Sequence, residues 1–157
     1  MAFTLADPHV FAPVAGYTGA WPRVAQTVGW DHAGTIFSIA VGLDALPGGD
    51  AEFYFVLVCA DPGGGERPIW SGLDVPPIVS REARAAILSR VLACVDTLLA
   101  MRAPPRIFRS VHDAGLPAKA RVKHARIGGV FEAHGYRIVD AGIRHGRPAW
   151  WAEKLPR

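Results

Sequence analysis

Glu52, Asp61 and His112 join proton-accepting side chains to positions near the ends of predicted strands. A carboxylate or a neutral imidazole placed there can take a proton from an amine and leave it nucleophilic. Two further clusters bring hydrogen-bond donors and positive charge. DPGGGERP holds Gly63, Gly64, Gly65 and Arg67, and AKARVKHAR holds Lys119, Lys123 and Arg126, with His124 among them. Positions 119, 123 and 126 share one face of a predicted helix. Such a face meets the phosphates of a ligand or of nucleic acid, faces another protein, or stays solvated, and all of these remain open. No RNP motif, zinc finger or helix-turn-helix pattern favours nucleic acid.

Other chemistries lack their spacing. There is no GxSxG, no GxxxxGK followed by Ser or Thr, and no GxGxxG. Asp31 and His32 are adjacent, so on an extended chain they point to opposite faces. The two cysteines, Cys59 and Cys94, sit in apolar runs, and without HExxH spacing they imply buried thiols and no metal.

The 157 residues are expected to form a single domain, 1–157, with an irregular arm over about 1–34 that is rich in Gly and Pro. The net charge is +3, and 12 of the 17 Lys and Arg follow residue 101, so the positive character belongs to the C-terminal third. No basic, apolar leader opens the chain and no apolar run is long enough to span a bilayer, so a cytoplasmic protein with no membrane partner is expected.

The elements that must position these residues follow from periodicity. TIFSIAVGL (35–43) and AEFYFVLVCA (51–60) are rich in β-branched and aromatic residues and flank the turn DALPGGD, which predicts an antiparallel hairpin. The second run is almost wholly apolar, as in a central strand covered on both faces. Residues 61–77 read as one long connection. Ser80 caps a helix whose apolar face is Ile87, Val91, Cys94, Val95, Leu98 and Leu99, and Pro104 and Pro105 stop it. RIFRSVH (106–112) is a short strand. A second helix runs from Pro117 to His134, burying Val122, Ile127, Val130 and Phe131. Gly128 and Gly129 let it pack closely, and Gly135 ends it in a left-handed turn. YRIVDAGI and RPAWWAEK form a terminal hairpin. The order β-β-α-β-α-β-β predicts an α/β fold, a mixed central sheet with flanking helices.

FEAHGY (131–136) and this element order, from about residue 35 onward and so over about three quarters of the chain, resemble the central and C-terminal part of the GCN5-related N-acetyltransferases (GNAT). The resemblance implies acetyl-CoA or another acyl-CoA as cofactor and a small-molecule amine as acceptor. It implies a pyrophosphate site at the loop after the central strand, here Gly63, Gly64, Gly65 and Arg67, with Asp61 and Glu66 opposing the charge. Phe131 stands where a tyrosine often protonates the departing thiolate, so that role is absent or lies elsewhere. The competing expectation is a non-enzymatic interaction module. Trp150 and Trp151 point to opposite sides of the last strand, and one of them would anchor a homodimer interface.

Overall fold

Alternating apolar residues build the sheet on which everything else rests. In a computed structural model that describes residues 3–115 and 121–156, the chain forms nine strands and two α-helices. The strands are β1 (Phe3–Leu5), β2 (Val14–Thr18), β3 (Trp21–Asp31), β4 (Ile36–Ala45), β5 (Ala51–Ala60), β6 (Glu66–Ile69), β7 (Arg106–Ser110), β8 (Tyr136–Arg144) and β9 (Arg147–Lys154). The helices are α1 (Arg81–Met101) and α2 (Arg121–Ala133). The sheet is mixed, in the order β1-β3-β4-β5-β7-β9-β8, with β2 also on β3 and β6 also on β5.

The predicted β4–β5 hairpin forms over its full length, from Ile36 opposite Ala60 to Ala45 opposite Ala51. The terminal β8–β9 hairpin and the Ser80 cap, which accepts from the Ala83 N–H at 3.2 Å, form as the sequence indicates. Gly135 takes φ 78°, the left-handed turn after α2.

Four expectations are corrected. The arm over 1–34 is not irregular. It holds β1, β2 and β3, because Val24, Gln26 and Val28 alternate inward beneath α1. Arg90 of α1 staples this region, donating to the carbonyls of Ala6, Thr27 and Val28. The connection 61–77 contains β6, an edge strand that tolerates Pro68. The central strand β5 is not covered by helices on both faces. Ala51, Phe53, Leu57 and Cys59 share one apolar cluster with residues of both helices. Among the described residues no helix lies on the other face, where small residues such as Ala40 and Gly42 let neighbours close over one another. A Cβ on Gly42 would run into the phenol of its cross-strand partner Tyr54.

The fourth correction is to α2. Its buried residues are His124, Ile127, Gly128 and Phe131, whereas Val122 is 59% exposed. Residues 116–120, with Pro117 and Lys119, lie outside the described residues. Close packing is not what the two glycines supply: a Cβ on Gly128 would sit 3.7 Å from Ile138, an ordinary contact, and one on Gly129 would meet nothing within 4 Å. Gly129→Ala should therefore stabilise the protein by about 0.5–1 kcal/mol, the helix-propensity difference, read as a higher denaturant midpoint at unchanged slope. An unchanged or lower midpoint would show that the glycine is needed.

The functional geometry lies between β5 and β7. They are parallel, as a helical crossover requires, but only Ala51–Ile107 and Glu52–Phe108 pair. At this closed end Asp50 accepts from Arg106 Nε and Nη2, and the Arg106 guanidinium lies 4.7 Å from the Trp151 ring centre. Beyond it, β6 takes over the same edge of β5 only from Leu57 onward. Among the described residues Phe53 to Val56 thus have no strand partner on that side, and the sheet opens there into a cleft.

Candidate functional site

Two cavities adjoin in this opening. The first, of about 200 Å³, is lined on one side by Glu52, Phe53, Tyr54 and Phe55 of β5, and on the other by Arg109, Ser110, His112 and Asp113 at the end of β7. Lys123 and His124 of α2, Arg147 of β9 and Trp70 complete it. The second, of about 190 Å³, is apolar, with Ile39, Leu57, Val75, Ile87, Leu88 and Val91 on its walls and Arg84 at the start of α1. Phe55, Trp70, Gly72 and Lys123 line both cavities and divide them.

Trp70 is held by its neighbours. Its ring meets Tyr54 edge-on at 6.1 Å and stacks with His112 at 6.5 Å, while remaining 46% exposed. Lys123 Nζ lies 5.5 Å from the Phe55 ring centre and against Gly72, where an added Cβ would sit 2.6 Å away. Burial lowers the Lys123 pKa, with Asp113 partly opposing the shift. The Tyr54 pKa is raised, mainly by burial, so its phenol holds its proton.

The deepest part of the site is polar and unsatisfied. Arg109 is 6% exposed and His124 is 3% exposed. Arg109 Nη2 donates to the His124 carbonyl at 2.9 Å, but Nη1 and both His124 ring nitrogens have no hydrogen-bond partner among the described residues. Trp150 stacks on His124 with ring centres 5.7 Å apart, and the Arg109 guanidinium lies 5.0 Å from the Trp150 ring centre. Burial pulls the Arg109 pKa down to about 10. Burial first, then the nearby Arg109 and Lys123 charges, push His124 down to about 3, so its imidazole is neutral.

Three of the residues singled out from sequence meet here, Glu52, His112 and Lys123, and Trp150 stacks behind them on His124. The other described ones do not. Asp61, Gly63, Gly64 and Gly65 form the exposed tip of the β5–β6 hairpin, where Asp61 N–H donates to Gly65 and Gly64 N–H to Asp61. Arg67 follows in β6, opposite Cys59, and none of these five lines either cavity. Arg126 is exposed and away from the cleft. Trp150 faces α2, and Trp151 faces the other side of the sheet, against Phe108 at 5.1 Å, as the alternation of a strand requires.

Sequence reasoning does not single out Arg109, His124, Tyr54 and Trp70 as site residues. The first two carried a usable signal. Arg109 has the same strand phase as the buried Ile107, and His124 lies at helical spacing from Ile127 and Phe131. Among the described residues no cluster of His, Cys, Asp and Glu could hold a metal ion, and no helix is long and apolar enough to cross a membrane. Comparison with family models, curated proteins and solved structures gives no match to this chain.

Proposed function

We propose that the cleft binds an acyl-coenzyme A and transfers its acyl group to a small amine, as a GNAT-like N-acyltransferase. One observation carries the reading: an apolar cavity and a polar cavity meet beside a strand edge, Phe53 to Val56, that has no strand partner among the described residues. The residues present fit such a molecule. Its thioester arm is a narrow chain with two amides, suited to the open β5 edge and to the walls formed by Ile87, Leu88 and Val91. Arg84 and Lys123 are the cations available to its phosphates, in place of the hairpin tip at Gly63–Gly65.

A bound acyl-coenzyme A supplies an activated carbonyl, on which an unprotonated amine forms a new amide as the sulfur leaves with its electron pair. Glu52, with His112 across the cavity, takes the proton that makes the amine nucleophilic. Tyr54 is the proton-bearing phenol in the same cavity and returns a proton to the sulfur.

The second reading is a non-enzymatic GNAT-like interaction module that keeps the fold without the cofactor site. Phe131 favours it: it is 2% exposed, lines neither of these cavities and so leaves no acid at its position. Calorimetry with acetyl-coenzyme A and longer acyl forms separates the outcomes. Binding in about the micromolar range is expected, weakened at least about tenfold by Lys123→Glu. Thiol release in the presence of amines, slowed in Glu52→Gln, supports the enzyme. Binding with no release across a broad amine panel overturns the enzyme, and no heat at any acyl length overturns acyl-coenzyme A binding and supports the module.

A further inference from the structure

The buried pair behind the first cavity points to the class of acceptor. Arg109 is sealed between Trp150, 5.0 Å from its guanidinium carbon, and Phe131, 6.0 Å away. One of its terminal nitrogens is held by the His124 carbonyl and the other has no partner among the described residues. Ion pairs form elsewhere, at Asp50–Arg106 and Glu153–Arg137, and among the described residues none reaches Arg109. A buried guanidinium without an anion is costly, and so is a buried imidazole with two idle nitrogens. Both residues line the cavity that Glu52 borders from the opposite strand. Glu52 pairs with Phe108, so Arg109 is the next residue along β7, with its side chain on the other face of the sheet. An elongated molecule in the cleft therefore meets a carboxylate near one end and a guanidinium with an imidazole near the other.

We infer that the acceptor is a small amino acid, an amine that also carries a carboxylate, with the carboxylate against Arg109 and His124 and the amine toward Glu52. The arrangement suits a planar carboxylate, which accepts from the guanidinium and from one imidazole N–H together. The amine half rests on the acyl-transfer reading; the carboxylate half does not.

The test is calorimetry on the full chain without coenzyme A, using glycine, β-alanine and γ-aminobutyrate as probes. Acetate and propionate serve as carboxylates without an amine, ethylamine and propylamine as amines without a carboxylate, and inorganic phosphate as a plain anion. At least one amino acid should bind about tenfold or more tightly than its matching amine and than phosphate. Arg109→Met should lose that binding while keeping acetyl-coenzyme A binding and a melting temperature no lower than wild type, because an unpaired buried charge does not support the empty fold. If the methionine variant does not fold, Arg109→Lys supplies the result: the amino acid weakens at least about tenfold because the two-pronged donor is lost.

No binding by any amino acid at about 10 mM, equal binding by amine and amino acid, or full binding by a folded Arg109→Met overturns the inference. Amino-acid binding in a protein that ignores acetyl-coenzyme A would overturn the acyl-transfer reading and leave the carboxylate site standing.

Discussion

On acidification the wild-type protein loses stability that a His124→Phe variant keeps. His124 is neutral in the fold and pushed down to about 3 by its burial and by Arg109 and Lys123, whereas in the unfolded chain it titrates near the ordinary imidazole value of about 6.5. Its contribution is fully present above that ordinary value and is lost as pH falls toward about 3, because the unfolded state then binds a proton that the native state refuses. The slope over this window is about 1.4 kcal/mol per pH unit, a loss on the order of 3–5 kcal/mol. Phenylalanine keeps the packing against Trp150 and Phe55 and has no nitrogens to satisfy. Denaturant titrations of both proteins at steps from pH 7 to pH 4 give the comparison, and carboxylate effects cancel in the difference. Parallel curves would mean that the native imidazole accepts its proton at an ordinary pH.

Phe131→Ala should cost about 3–5 kcal/mol, the usual loss for an aromatic residue removed from a closed core. Phe131 meets Phe53 edge-on at 5.4 Å and Tyr136 at 5.9 Å, and so ties α2 to β5 and β8. Thermal or denaturant unfolding reads the effect. Phe131→Tyr tests the same packing from another side, since a hydroxyl there would enter the core and not the two cavities of the cleft. It should lower stability without raising thiol release. A tyrosine variant with wild-type stability and faster release would place position 131 at the reaction centre.

The sequence carries the frame wherever local preference and tertiary burial agree. Turn residues between two β-branched runs give the β4–β5 hairpin, and Ser80 with Pro104 and Pro105 brackets α1. β3 escapes because Pro22 and Gly29 look like breakers, while its inward Val24, Gln26 and Val28 matter only beneath α1. The cleft is half legible. Glu52, His112 and Lys123 carry chemistry by type, but the opening itself arises from a parallel pair that stops after two residues, and strand spacing does not reveal that. Arg109 and His124 look like surface charge until Trp150 and Phe131 close over them. The glycine triplet misleads for the opposite reason, because its φ freedom serves a hairpin turn, with Gly64 at 85°.

Hydrogen exchange with and without acetyl-coenzyme A tests the central claim most directly, because it reads the backbone of the open edge itself. Protection is predicted in peptides covering Phe53–Val56 and Arg84–Val91, with little change at the hairpin tip from Asp61 to Arg67. Protection confined to that tip, or no protection at any site under saturating acetyl-coenzyme A, would contradict it.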